Sequence, residues 1–103
     1  MKPVLRHADV SEKALEAYLA RRVRALGGVC IKYANAAEAG YPDRVALLPG
    51  GVTVWVELKS RGCRPRILQE MRHRQMRRLG HRVAVCDSRE AIDALLAAEE
   101  AAR

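Results

Sequence analysis

Two carboxylates and an ammonium are the groups most able to do chemistry in this chain. Asp43 follows Pro42 at the head of one apolar run, and Glu57 and Lys59 flank Leu58 at the end of the next. Between the runs lies Pro49-Gly50-Gly51, a sequence suited to a reversal of the chain. The hairpin that results has two candidate registers. A two-residue Gly50-Gly51 loop pairs Leu47 with Val54 and sets Arg44 opposite Glu57, an exposed ion pair of small worth. A three-residue loop, Pro49 to Gly51, shifts the pairing by one residue and sets Asp43 opposite Glu57. Gly51 tolerates the left-handed residue that such loops commonly need.

In the second register the chemistry becomes specific. Directly opposed residues have Cβ atoms about 4.5–5.5 Å apart. Two carboxylates that close repel, so one binds a proton or a cation lies between them. Mg²⁺ suits such a pair, because it takes a few carboxylates and keeps waters and phosphate oxygens as its other ligands. The backbone carbonyl of Leu58 is a further donor. Lys59, two residues past Glu57, projects from the same side of a strand. There its ammonium would orient a water or offset charge on a pentacovalent phosphorus. The chemistry indicated is hydrolysis of a phosphodiester.

The flanking pattern predicts the elements that must hold these groups. Asp9 or Ser11 caps a helix that runs to about Leu26 and ends at Gly27-Gly28. Leu15, Leu19, Val23 and Leu26 share one side of it, with Glu12 inside that apolar arc and Glu16 on its flank. Val29–Tyr33 reads as a strand, and Arg44–Leu48 and Val52–Leu58 as the hairpin. After Pro65 a helix closes at Gly80, with Ile67, Leu68, Met71, Gln75 and Leu79 as its apolar side. Arg82–Cys86 is a further strand, and Ser88 caps a last helix whose buried side includes Ile92, Leu95 and Leu96. The order is αβββαβα in one domain spanning 1–103.

Net charge is +7 over 103 residues, which favours a polyanionic partner. The excess is local: Lys59 to Arg82 holds nine basic residues against Glu70 alone. Arg61, Arg64, Arg66, Arg72, Arg74, Arg77 and Arg78, with Lys32, are candidate phosphate contacts, which position a duplex without reading its sequence. With no Phe, one Trp and three Tyr, stacking of bases on an aromatic platform is not expected. Cys30, Cys63 and Cys86 have neither disulfide nor zinc spacing, and Cys30 and Cys86 read as small core residues. His7, His73 and His81 lack ligand spacing, and His73 reads as a surface residue of the Arg-rich helix. No signal-peptide stretch opens the chain and no segment is long enough to span a bilayer, so a cytoplasmic protein without membrane contact or small-molecule cofactor is expected.

Taken together, GYPDR (Gly40–Arg44), VELKSRG (Val56–Gly62), Gln69 and Gly80 resemble the VRR-NUC nucleases, a branch of the PD-(D/E)XK superfamily. The resemblance extends over Ser11-Glu12, Gly27-Gly28, Lys32 and the Arg82–Cys86 strand. It implies a restriction-endonuclease-like α/β core, with a central mixed sheet flanked by helices. It implies that Asp43 and Glu57 ligate Mg²⁺ or Mn²⁺, that Lys59 is the catalytic lysine, and that Glu12 completes the acidic cluster. The last would account for an acid inside an apolar arc, with Glu16 as the fallback. Gln69 matches a position beside the site, where it would orient Lys59 or the scissile phosphate. Ile67-Leu68 depart from the Ser or Lys that relatives often carry before this Gln. The implied substrate is DNA, including branched forms such as Holliday junctions, cut by a homodimer. The rival readings are a non-catalytic nucleic-acid-binding module of the same fold and a small structural α/β protein whose Glu57 and Lys59 are simply solvated.

Overall fold

The computed structural model describes residues 11–102. Helix α1 (Glu12–Ala25) leads into strand β1 (Val29–Lys32), and the hairpin follows as β2 (Arg44–Leu48) and β3 (Val52–Leu58). Helix α2 (Ile67–Arg78), strand β4 (Arg82–Cys86) and helix α3 (Arg89–Ala101) complete the chain. The observed order is the αβββαβα expected from the pattern. Asp9 and His7 lie outside the described residues; the cap of α1 is Ser11, whose hydroxyl accepts from the Ala14 amide at 3.1 Å. Ser88 caps α3 in the same way, accepting from the Ala91 amide at 3.0 Å.

The four strands form one mixed sheet in the order β1-β2-β3-β4. β1 and β2 pair antiparallel, as do β2 and β3, while β3 and β4 are parallel and joined through α2. A parallel neighbour needs a crossover, and α2 supplies it. The β2–β3 register sets Ala46 against Val54 and Leu48 against Val52, which is the three-residue loop. Gly50 and Gly51 both take left-handed backbone, φ 84° and 76°, a conformation that a side chain would strain.

The alternation of β2 and β3 then sorts residues onto two faces. Ala46, Leu48, Val54, Val56 and Leu58 join Leu15, Leu19 and Val23 of α1, Ile92 and Leu96 of α3, and Cys86 in one buried cluster. Cys30 packs against that cluster, so both strand cysteines serve as small apolar residues. The opposite face carries Val45, Leu47, Thr53, Trp55 and Glu57; α2 packs over its β4 edge, and Leu47 and Thr53 stay exposed. No helix among the described residues is long and apolar enough to cross a membrane.

Helix α2 departs from the expected orientation. Its buried residues are His73 and Met76, whereas Ile67, Leu68, Met71 and Leu79 are 78%, 44%, 55% and 71% exposed. The apolar stripe faces outward because polar bonds set the roll of the helix. Gln69 donates to Glu57 on β3, the Arg77 guanidinium donates twice to the Val83 carbonyl on β4, and Arg72 donates to the Ala39 carbonyl.

Candidate active site

Continuing the hairpin register by one pair places Asp43 opposite Glu57. Pro42 is fully buried and anchors the approach to β2. The Asp43 carbonyl accepts from the Tyr33 amide at 2.9 Å, tying this corner to β1. Arg44, the next residue, points to the other side of the sheet and meets Glu16 of α1 at 3.1 Å. That pair occupies the acid considered as a fallback ligand and frees Glu57 from Arg44.

Glu57 is 4% exposed, although it is a carboxylate on the more open side of the sheet. Three groups surround it. Lys59 Nζ lies 3.8 Å from Glu57 Oε2, and Gln69 Nε2 donates to the same oxygen at 3.2 Å. Asp43 adds a second negative charge. The Gln69 amide is held at both ends, since its Oε1 accepts from the Arg66 backbone amide at 2.8 Å. This is the reach-back half of a capping box, here also pinning the helix start to the acid. One residue thus begins α2 and orients Glu57.

The electrostatics follow from this enclosure. Burial, then the neighbouring Asp43 charge, raises Glu57 from 4.5 to about 7, against the opposing pull of Lys59. Burial also raises Asp43 above its ordinary value, with Glu16 and Glu12 adding to it. Asp43 Oδ1 and Glu57 Oε1 are both buried without a hydrogen-bond partner. Two buried carboxylate oxygens at facing positions favour a proton or a cation between them, and their hard-oxygen chemistry fits Mg²⁺ or Mn²⁺.

The three-acid cage implied by the resemblance is not preassembled. Among the described residues no group of three or more His, Cys, Asp or Glu side chains is arranged to hold a metal. Glu12 is the exposed first residue of α1, and its charge acts on both Asp43 and Glu57 from there. Lys32 pairs with Arg44 across β1 and β2, so the strand alternation directs it to the α1 side, away from Glu57. Arg72 and Arg77 are engaged by the Ala39 and Val83 carbonyls, which leaves Arg61, Arg64, Arg66, Arg74 and Arg78 as the more available exposed cations.

Two features escaped the pattern of the sequence. His73, expected at the surface, is 2% exposed. It sits one helical turn after Gln69 on the same side of α2, and its Nε2 has no hydrogen-bond partner. Burial and the Arg77 and Lys59 charges lower its pKa, keeping the ring neutral. The signal was its spacing from Gln69, i to i+4, on the side opposite the apolar stripe. The second feature is aromatic. Tyr33 packs edge-on against Trp55 at 5.2 Å and against Tyr41 at 6.2 Å, beside the acids.

A mixed sheet flanked by helices, with an acid pair and a lysine where its second strand begins and its third ends, matches a restriction-endonuclease-like nuclease fold. The structure is similar to a solved VRR-NUC domain, with a TM-score of 0.79 and 32% identity, over 82% of this chain and 92% of the other. In sequence the chain is 36% identical over 81 residues to a protein named "Putative nuclease p44" from Acyrthosiphon pisum secondary endosymbiont phage 1. That alignment spans 79% of this chain and 87% of the phage protein. No family model matches the chain. On the strength of these relatives the chain belongs to the VRR-NUC nucleases.

Proposed function

We propose that this protein is a divalent-metal-dependent endodeoxyribonuclease acting on branched DNA, four-way Holliday junctions among its substrates. The observation that carries the reading is the pair of buried, unpartnered oxygens on Asp43 and Glu57, set beside the Lys59 ammonium. A solvated surface ion pair would not bury two carboxylate oxygens at facing positions without a protein donor for either. Mg²⁺ or Mn²⁺ would be held by Asp43 and Glu57, with the Leu58 carbonyl and Glu12 as further donors. Such an ion supplies Lewis acidity to the phosphate and a more acidic water.

The chain's own groups divide the remaining work. Gln69 holds Glu57 with one oxygen fixed and the other free. Lys59 donates to a non-bridging phosphate oxygen and offsets the charge that builds as water attacks phosphorus. Water adds across the P–O3′ bond, leaving a 5′-phosphate and a 3′-hydroxyl. Arg61, Arg64, Arg66, Arg74 and Arg78 contact backbone phosphates on either side, which favours shape over sequence as the property read. A homodimer belongs to this reading, because a junction offers two strands to cut. Val29, Ile31 and Leu47, 57%, 43% and 40% exposed on β1 and β2, are an apolar patch suited to a second copy.

The test is digestion of a four-way junction and of linear duplex with Mg²⁺ and with EDTA. The reading expects metal-dependent paired nicks in the junction that vanish in Lys59→Ala. Binding of the junction without cleavage in either Mg²⁺ or Mn²⁺ would instead make the protein a binding module.

A further inference from the structure

We propose that a strip running from the Tyr33–Tyr41–Trp55 cluster along the outer flank of α2 binds unpaired nucleotides of the substrate, holding a single strand where it leaves the duplex. The inference rests on the nuclease reading of the Asp43–Glu57 site and names what that site cuts beside.

Composition argues against a stacking platform, but the fold concentrates what there is. Three of the four aromatic residues gather on the Glu57 side of the sheet, each only partly buried. Arg72 extends the cluster, its guanidinium 5.0 Å from the centre of the Tyr41 ring. Gly40 makes this junction possible: it has φ 99°, and a Cβ there would come within 2.8 Å of Arg72 and 3.0 Å of Leu68. The loop before Asp43 is thereby pressed onto α2 at Leu68, next to Gln69 of the acid site. From that point a shallow concavity of about 650 Å³ follows the helix, with Leu68, Met71 and Leu79 interleaved with the available cations Arg74 and Arg78 and with Gln75.

The mixture of side chains identifies the occupant. A blunt duplex offers phosphates to the arginines, but its base faces are stacked and cannot reach an apolar floor. A single strand offers both at once, phosphates to the cations and base faces to the apolar and aromatic surface. A second copy of the chain is a poor fit, since a symmetric contact through this flank would bring arginines against arginines. The β1–β2 patch of Val29, Ile31 and Leu47 has no interleaved charge and suits self-association better. The strip passes Leu68, the residue before Gln69, so a strand bound along it emerges beside the acids.

Trp55 is the sole tryptophan, so its emission reports occupancy of the cluster directly. With EDTA present to prevent cleavage, the protein is titrated with a short oligothymidylate, a blunt duplex and the same duplex carrying a single-stranded tail. The expected result is quenching by the oligothymidylate and the tailed duplex but not by the blunt one. Met71→Ser/Leu79→Ser should weaken binding of the tailed duplex by ~10-fold and leave the blunt duplex unchanged. Equal quenching by the blunt duplex, no quenching, or no selective loss in the double variant would overturn the proposal. So would a change in mass of the double variant by light scattering, which would make this flank a subunit contact. If discrimination persists in EDTA but Mg²⁺ brings no cleavage of any substrate, the nuclease reading fails and the strand-binding strip stands.

Discussion

One side of the sheet is closed by α1 and α3, where Leu15, Leu19, Val23, Ile92 and Leu96 are fully buried against Ala46, Val54, Val56 and Leu58. Among the described residues, the other side carries α2 alone. It buries a carboxylate and an imidazole, Glu57 and His73, while leaving Ile67, Leu68, Met71 and Leu79 in solvent. The first face follows the rule that apolar surface is removed from water. The second breaks it twice, with polar groups inside and apolar groups outside. A small domain has little stability to spare, and here the closed face offsets what the open face costs. The candidate site thus lies on the side of the sheet that buries the less apolar surface.

The largest test of that contrast is Glu57→Gln. If Glu57 belongs to function, junction cleavage should fall by about 10³-fold, while thermal unfolding of the metal-free protein should show no loss of stability. A clear destabilisation would instead make Glu57 a structural partner of Lys59 and Gln69. On the closed face, Leu19→Ala should lower stability by roughly 3 kcal/mol in urea unfolding through lost burial and a cavity. Its cleavage rate per folded molecule should be unchanged; a selective loss of activity would mean that the two faces are coupled.

The pH dependence separates the faces further. Glu57 is raised from 4.5 to about 7 in the fold, so the native state retains a proton that the unfolded chain releases. Its contribution to the stability of the metal-free protein is therefore present below pH 4.5, is lost as pH rises towards 7, and changes little above. His73, lowered by burial, acts in the opposite sense: its neutral form is favoured in the fold, so stability falls as pH drops below 6.5. The Glu57 proton should therefore make the metal-free protein lose stability between pH 4.5 and pH 7, with His73 opposing part of that loss. In Glu57→Gln that decline should be absent; its persistence would assign the proton to another group. The smallest effect belongs to Gln69→Ala, which removes the reach-back cap and the hydrogen bond to Glu57. About 1 kcal/mol of stability should be lost, with a fall in cleavage measurable against unchanged cleavage in Glu90→Ala on the exposed side of α3.

Much of the architecture was legible locally. The β2 and β3 bounds and the αβββαβα order follow from period-two alternation and from Ser11, Ser88 and Gly80 as punctuation. The hairpin was legible only as two alternatives, one residue apart, and Pro49 decided between them by entering the turn. The site was legible in part. Asp43, Glu57, Lys59 and Gln69 do converge, because three lie on one hairpin and the fourth begins the next helix. Glu12 does not close a preformed cage with them, since a residue at the exposed start of α1 is set by how the helix lies on the sheet. His73 was misread because α2 has two candidate inner sides, and the more apolar one lost.

From its order of residues alone, this chain determined its elements, its caps, its turn and the concentration of positive charge between Lys59 and Arg82. All of these depend on neighbours within a few positions, which is the reach of backbone periodicity and capping. Only the tertiary structure decided the roll of α2, the burial of His73, the gathering of Tyr33, Tyr41 and Trp55, and the pairing of Arg44 with Glu16 rather than Glu57. Those outcomes rest on bonds between residues far apart in sequence, such as Arg72 to Ala39 and Arg44 to Glu16. Such bonds exist only once the sheet has assembled and outweigh the preference of any one stripe of side chains.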